Sequence, residues 1–573
     1  MKTACGVISA GHDQAAAIAA DMLSAGGNAV DAGVAATIAL TVLHSEQVQL
    51  GGVAPMLVRM TNDRQTCSIE GAGRWPAEID RERLEQAYRG RIPHGVVRTV
   101  VPAAPGAWIE ALVRFGTMGF AELAEPAREL AATGFAVHED LVSSTTQFER
   151  YYRAYAENTR IWLPHDRPLL LGEQFKQPDL ASTLGRLIDA DRSAALGGGR
   201  IAGLQAVLDL FYRGQMADEM VQHVQGLGGW LSRRDLAMHH TPVVAATAAR
   251  VFGGTLYSCG FWSQGPALSQ ALQILEHYGP LPADSSSPEF LHLVIEALNL
   301  ALADREAHYG DEDFVAVPWQ RLLSPEHARR QAQLIHGDRT LASQQAAVRT
   351  SARLQTPAAE SSSDSAGAIS LDTSVVAVID AEGNVFACTP SDPSMDAPAV
   401  PGLGFVISTR GAQSFVHADH PSVLAPGKRP RVTACPMIFE SAQGSHIAGG
   451  GPGGDFQLQA MAQVLAQRLV NGVSLREAVR APRVYTQSAP ASSEPHLCFP
   501  GRVLVESSAS PAVFDGLTRF GHRTVHDQLR GNARPSICLV ASSADGTDRE
   551  AVDDPRRTMG VRIVPASMDR ATQ

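Results

Sequence analysis

The junction near residue 372 constrains this chain more than any other feature. Residues 343–370 are rich in Ala, Ser, Thr and Gln, and include Glu360-Ser361-Ser362-Ser363-Asp364-Ser365. Such a stretch cannot bury enough apolar surface to offset the entropy of ordering it. Directly behind it, Thr373 to Asp380 is almost entirely β-forming and apolar, and ends at the turn Ala381-Glu382-Gly383-Asn384. Val385 to Thr389 then reads as the second strand of a hairpin. A mobile loop therefore abuts the head of a core strand, with a threonine at the boundary. A self-cutting enzyme needs this order, with a reachable, somewhat strained bond followed by a new N-terminus that a sheet holds rigid.

At 573 residues the chain exceeds what one ordinary core organises, so several cores or one large layered domain are expected. Helical composition runs over Asp13 to Leu23, Ala32 to Leu43, Phe120 to Thr133 and, as an amphipathic helix, Leu291 to His308. The run Gly449-Gly450-Gly451-Pro452-Gly453-Gly454 leads into a helix over Phe456 to Leu469, and Met559 to Val564 reads as a final strand. The formal charge of −11 argues against a nucleic-acid partner, which would need a basic face. The longest apolar stretch, Ala32 to Leu43, is too short to span a bilayer. Seven scattered cysteines without a C-x-x-C pair, and a start without a signal-peptide pattern, predict a soluble, cytoplasmic chain.

Several blocks, in order, resemble the γ-glutamyltransferase family. They are Ala25-Gly26-Gly27-Asn28-Ala29-Val30-Asp31-Ala32; Glu125-Pro126-Ala127 through Gly134-Phe135; Phe211-Tyr212-Arg213-Gly214; Ala303-Asp304-Arg305 with Tyr309-Gly310-Asp311; Asp372-Thr373-Ser374; Lys428-Arg429-Pro430; the glycine run; Ala481-Pro482-Arg483; and Asp554-Pro555-Arg556. The resemblance implies an α+β fold, a four-layer αββα sandwich of the N-terminal-nucleophile hydrolase type, formed jointly by two autoprocessed fragments. Residues 1–372 would be the large subunit, helix-rich with a mobile end over about 343–372. Residues 373–573 would be the small subunit. Autoprocessing would fall between Asp372 and Thr373.

Thr373 is then the nucleophile. A threonine hydroxyl needs a base, and a free α-amino group, with a pKa of about 7.7–8.0, can be one. Gly453 and Gly454 match the family's oxyanion pair, where glycine lets backbone N–H groups approach the reacting carbonyl. The loop lacks the Lys-Ser/Thr ending of a nucleotide-binding loop. Ser391 falls where the family has a second threonine touching the nucleophile; a solvent-facing turn serine is the other open reading. In the substrate pocket the family's acids give way to Arg410 and Gln413, and its Ser-Ser pair to Val432 and Thr433. The family's arginine falls on Ala72, near Arg74. Arg74, Arg410, Gln413 and Thr433 are therefore the candidate substrate-binding residues, and Arg431 lies beside them in sequence. Arg410 could clamp a carboxylate or point into solvent. Ser263, in a near-match to a nucleophile elbow, reads as a turn residue, and His417 with His420 lacks a third metal ligand.

These residues imply a self-cleaving amidohydrolase acting on a small carboxylate-bearing amide through an acyl-enzyme, with no metal, cofactor, nucleic-acid or membrane partner. Two other readings stay open: a true γ-glutamyl hydrolase or transpeptidase with a remodelled pocket, and a C–C bond hydrolase or processed but inactive binding protein.

Overall fold

The computed structural model describes residues 5–63, 65–341, 372–527, 529 and 534–565. The Ser- and Ala-rich stretch over 343–370 lies outside the described residues. Thirteen strands form the two large sheets: β1 (Cys5–Ala10), β2 (Met56–Arg59), β3 (Thr66–Ile69), β4 (Val243–Ala245), β5 (Thr247–Val251), β6 (Gly254–Ser258), β7 (Val376–Ile379), β8 (Val385–Cys388), β9 (Met437–Glu440), β10 (His446–Gly450), β11 (Cys538–Ser542), β12 (Arg549–Val552) and β13 (Gly560–Pro565). One sheet runs β13-β1-β7-β8-β2-β3-β4, the other β12-β11-β10-β9-β6-β5.

The sheets face each other, with β7 and β8 against β10 and β11. Side chains alternate across a strand. Ala377, Ile379, Val385 and Ala387 thus join Val7, Leu57, Ile438, Ala448 and Val540 in a core between the sheets. Val376, Val378, Phe386 and Cys388 point the other way, into the core shared with helices α1 (Asp13–Ser24) and α2 (Ala29–Leu43). Covering on both faces explains why these strands read as unbroken apolar runs rather than alternating ones. On the far side, α3 (Gly265–Tyr278) packs on β5 and β6.

The start of α2 shows why its sequence block reads as it does. Asn28 caps the helix through its side chain, and Asp31 answers on the Asn28 N–H, a reciprocal capping box. Asp31 also accepts from the Thr117 N–H and hydroxyl. The Ala29 N–H is taken by Asp380, at the β7–β8 turn, 2.9 Å away. A side chain at Gly33 would strike the Phe386 ring, so glycine lets α2 lie directly on β8.

The hairpin pairs as its sequence predicts, Val378 opposite Phe386 and Ile379 opposite Val385. The first strand begins at Val376, three residues after Thr373, which stands in irregular backbone. The helix predicted over Leu291 to His308 is α4 (Pro288–His308), and it corrects the amphipathic reading. Phe290 through Leu302 are buried on nearly every face, because α3, α5 (Phe456–Asn471) and the helix Pro511–Arg519 surround it. Among the described residues, no helix is long and apolar enough to cross a membrane.

β7 pairs β1 on one edge and β8 on the other, and β8 pairs β2. Residues after 372 thus occupy the middle of a sheet whose neighbouring strands come from before 372. A backbone cut between Asp372 and Thr373 should therefore leave both pieces in one particle. Size-exclusion chromatography of cut protein without denaturant should give a single peak holding both. Separate elution would contradict this strand order.

Candidate active site

Thr373 and Asp372 are buried, with 0 % and 1 % of their surface exposed. This corrects the expectation of a reachable bond: its attacking group would come from within the chain, so only a later water needs entry. Thr373 has φ of +95°, in the region a β-branched residue rarely enters. Such a conformation costs about 1–3 kcal/mol and persists only where its surroundings dictate it. The surroundings include the Gln47 carbonyl, which accepts from both the Thr373 N–H (3.2 Å) and the Asp392 N–H (3.1 Å). Asp392 is itself at φ +136°.

The Thr373 hydroxyl lies 2.6 Å from the Ser391 hydroxyl. Ser391 is wholly buried and bridged to Val53, so it is not a solvent-facing turn serine. A side chain at Gly52 would run into the Ser391 carbonyl, which explains glycine there. Gln457, in the first turn of α5, also reaches the Thr373 hydroxyl at 3.2 Å. In the amide orientation that satisfies both ends, its oxygen accepts from Thr373 and its nitrogen donates to the Thr433 and Gly451 carbonyls.

The glycine loop is held from behind. Gln264 donates to the Gly454 carbonyl at 2.9 Å, and Arg305 pairs with Asp455 at 2.5 Å. Gly453 has φ of +122° and Gly454 +55°. Among the described residues, neither of their N–H groups donates a backbone hydrogen bond.

Arg410 points inward and is 3 % exposed. Its Nη2 donates to the Asp372 carboxylate and to the Ser391 hydroxyl, and its Nε faces Asp392 at 3.5 Å. Burial pushes the Asp392 carboxyl up, and Asp372 adds to that. Arg410, Ser408 and the Thr409 N–H oppose it, leaving a pKa of about 6. Gln413 bonds Thr433 through both ends, donating to its hydroxyl at 3.1 Å and accepting from its N–H at 3.2 Å. A cavity of about 530 Å³ opens beside Asp372, with Pro393, Thr409, Arg410, Gln413, Arg91, Arg150, Tyr88 and Tyr151 in its wall.

Two expectations are corrected. The Arg74 side chain is bound to Asp311 at 3.1 Å and Asp313 at 2.5 Å, and is not part of the cavity wall. Arg431 is held by Glu306 at 2.8 Å. Both lie near pocket positions in sequence, but the acids on the Tyr309-Gly310-Asp311 turn and on α4 draw them away. Ser263 is a turn residue, donating to the Gly260 carbonyl. The sequence reading missed Gln47, Asp392 and Gln457. Gln457 alone carried a signal: it follows the glycine loop by three residues and so faces it from the first helical turn. A buried cluster of His44, Glu46 and His138 lies behind the site, but His138 already engages the Leu43 carbonyl and the Leu141 N–H through its two ring nitrogens.

The gamma-glutamyltranspeptidase family model matches residues 15–564. The acylase ACY 1 proenzyme of Pseudomonas sp. (strain SE83) is 29 % identical over 559 residues, covering 95 % of this chain and 90 % of that protein. The glutathione hydrolase proenzyme of Escherichia coli (strain K12) is 25 % identical over 575 residues, covering 96 % and 91 %. The crystal structure of cephalosporin acylase from Bacillus halodurans superposes with a TM-score of 0.82 at 24 % identity, covering 98 % of this chain and 96 % of that one, and so shares its fold.

Asp392 is charged above about pH 6 and loses that charge as the pH falls through its pKa. Below that point Arg410 loses a counter-charge. In the uncut chain, the rate of a reaction at Thr373 should show an acid limb with a midpoint near 6. Asp392→Asn should lower the plateau and abolish the limb. An unchanged limb in the variant would assign it to another group.

Proposed function

The chain belongs to the gamma-glutamyltranspeptidase family of amide-bond hydrolases and transpeptidases, and from that premise we propose that it is a self-processing N-terminal-threonine amidohydrolase for small carboxylate-bearing amides. The observation that carries this reading is the buried, left-handed Thr373 with its hydroxyl 2.6 Å from Ser391, behind a residue whose carboxylate rests on Arg410.

In the uncut chain the Thr373 hydroxyl attacks the Asp372 carbonyl. The C–N bond breaks, the hydroxyl proton passes to the nitrogen, and the Asp372 acyl group is left as an ester on Thr373. Water opens the ester. Relief of the strained φ favours this direction, since a free N-terminal residue has no preceding carbonyl to define that angle. The Gln47 carbonyl, already bonded to the Thr373 nitrogen, then orients the new amine. That amine serves as the general base when the same hydroxyl attacks a substrate amide. Gly453 and Gly454 supply oxyanion donors; losing one such donor typically costs about 2.7–4 kcal/mol. Fragments 1–372 and 373–573 stay together as one four-layer αββα sandwich.

The pocket supports a carboxylate more readily than an ammonium. Two acids near Arg410 are already committed, Asp392 to Arg410 itself and Asp396 to Arg98 at 2.8 Å. An unpaired buried ammonium costs several kcal/mol.

Denaturing electrophoresis with intact-mass analysis should find two fragments that meet at the Asp372–Thr373 bond, and Thr373→Ala should stay uncut. A single uncut chain in active enzyme would refute the proposal. On one leaving group, kcat/KM for a carboxylate-bearing acyl group should exceed that for its α-amino counterpart by about tenfold, a difference of about 1.4 kcal/mol. The reverse preference would identify a γ-glutamyl enzyme with substituted contacts.

A further inference from the structure

Self-cleavage, on the reading above, passes through an ester between the Asp372 carbonyl and the Thr373 hydroxyl. That ester is an acyl-enzyme in its own right, and its acyl group is Asp372. The uncut chain therefore already holds one acyl group seated beside the nucleophile.

The seat has a definite shape. The Asp372 carboxylate is bound by Arg410 Nη2, and the same nitrogen donates to Ser391, 2.6 Å from the Thr373 hydroxyl. Behind the guanidinium, Asp392 faces Nε at 3.5 Å. Arg410 is thus pinned between a counter-charge at its back and a carboxylate at its front. Two carbons of Asp372 separate that carboxylate from the scissile carbonyl. The nitrogen on the first of them is an uncharged peptide nitrogen. Asp372 also forms part of the cavity wall in front of the buried Thr373, so it stands where an acyl group entering from the cavity would arrive.

We propose that the acyl site of the processed enzyme takes a succinyl-type group, with a carboxylate two carbons beyond the scissile carbonyl and no charged amine. Arg410 binds that carboxylate, and Asp372 masks Arg410 until cleavage unties it. This rests on the Thr373 acyl-enzyme. In turnover the Thr373 oxygen bonds to the acyl carbon, the amide C–N bond breaks and the hydroxyl proton leaves with the amine. Water then opens the ester, releases the dicarboxylic acid and restores the hydroxyl. One methylene fewer leaves the carboxylate short of the guanidinium. One more drives it against a group that Asp392 and Ser391 keep from retreating.

The test uses the full-length processed enzyme and malonyl, succinyl, glutaryl and butyryl amides of one arylamine. We expect kcat/KM to peak at succinyl, about ten- to a hundredfold above butyryl, which has the same four carbons without the charge, and clearly above both other diacids. Full-length Arg410→Lys should narrow the succinyl-to-butyryl ratio, because a lysine ammonium lacks the planar fork that presents separate nitrogens to Asp392 and to the substrate carboxylate. Intact mass of the small fragment, trapped during turnover, reports the acyl adduct. If adducts form on Thr373 but glutaryl or butyryl matches succinyl, the acyl-site assignment falls and the nucleophile stands. If no acyl group appears on Thr373 with any donor, the nucleophile reading falls and this assignment falls with it.

Discussion

The antiparallel pairing of β7 with β1 and β8 holds the rest of the molecule in place. Val376–Ile379 sits between a strand from the start of the chain and its own hairpin partner, and is covered by helices on one face and a second sheet on the other. The backbone leading into it has little room to relax. Thr373 and Asp392 both turn their N–H groups to the Gln47 carbonyl, and both do so at φ values that L-residues avoid. The sheet supplies the rigidity that keeps a strained peptide next to a hydroxyl.

Around that strand, buried charges do the positioning. Asp380 ties the β7–β8 turn to the first N–H of α2. Arg305 and Asp455 hold the glycine loop, Arg429 bridges Asp311 and Glu70, and Arg483 pairs with Asp554 at 2.7 Å. Pairs of this kind add little net stability over apolar packing, but breaking one by removing a single partner costs about 3–5 kcal/mol. Their value here is registration. Each joins segments far apart in sequence.

Arg410 plays a different part, because its guanidinium meets Asp372, Ser391 and Asp392. One is the residue before Thr373, one touches the Thr373 hydroxyl, and one is an acid whose pKa lies near 6. A guanidinium in that position joins the charges of the pocket to the backbone beside Thr373.

The sequence by itself determined the hairpin, since β-forming residues on either side of Ala381-Glu382-Gly383-Asn384 admit little else. It determined α1 and α2 through helical composition on either side of Gly26-Gly27, and a glycine loop running into α5. These are local matters, settled by propensity, capping and turn chemistry within a few residues. Only the tertiary structure decided which arginine faces Thr373. Arg74, Arg410 and Arg431 look alike in sequence, and their roles depend on acids hundreds of residues away or on another element: Asp311 and Asp313 take Arg74, Glu306 takes Arg431, and Asp372 takes Arg410. The amphipathic reading of α4 failed for the same reason, because the helices that bury its second face come from distant parts of the chain. Side-chain direction is set by packing and by partner charges, and neither is written within the few residues that a local pattern spans.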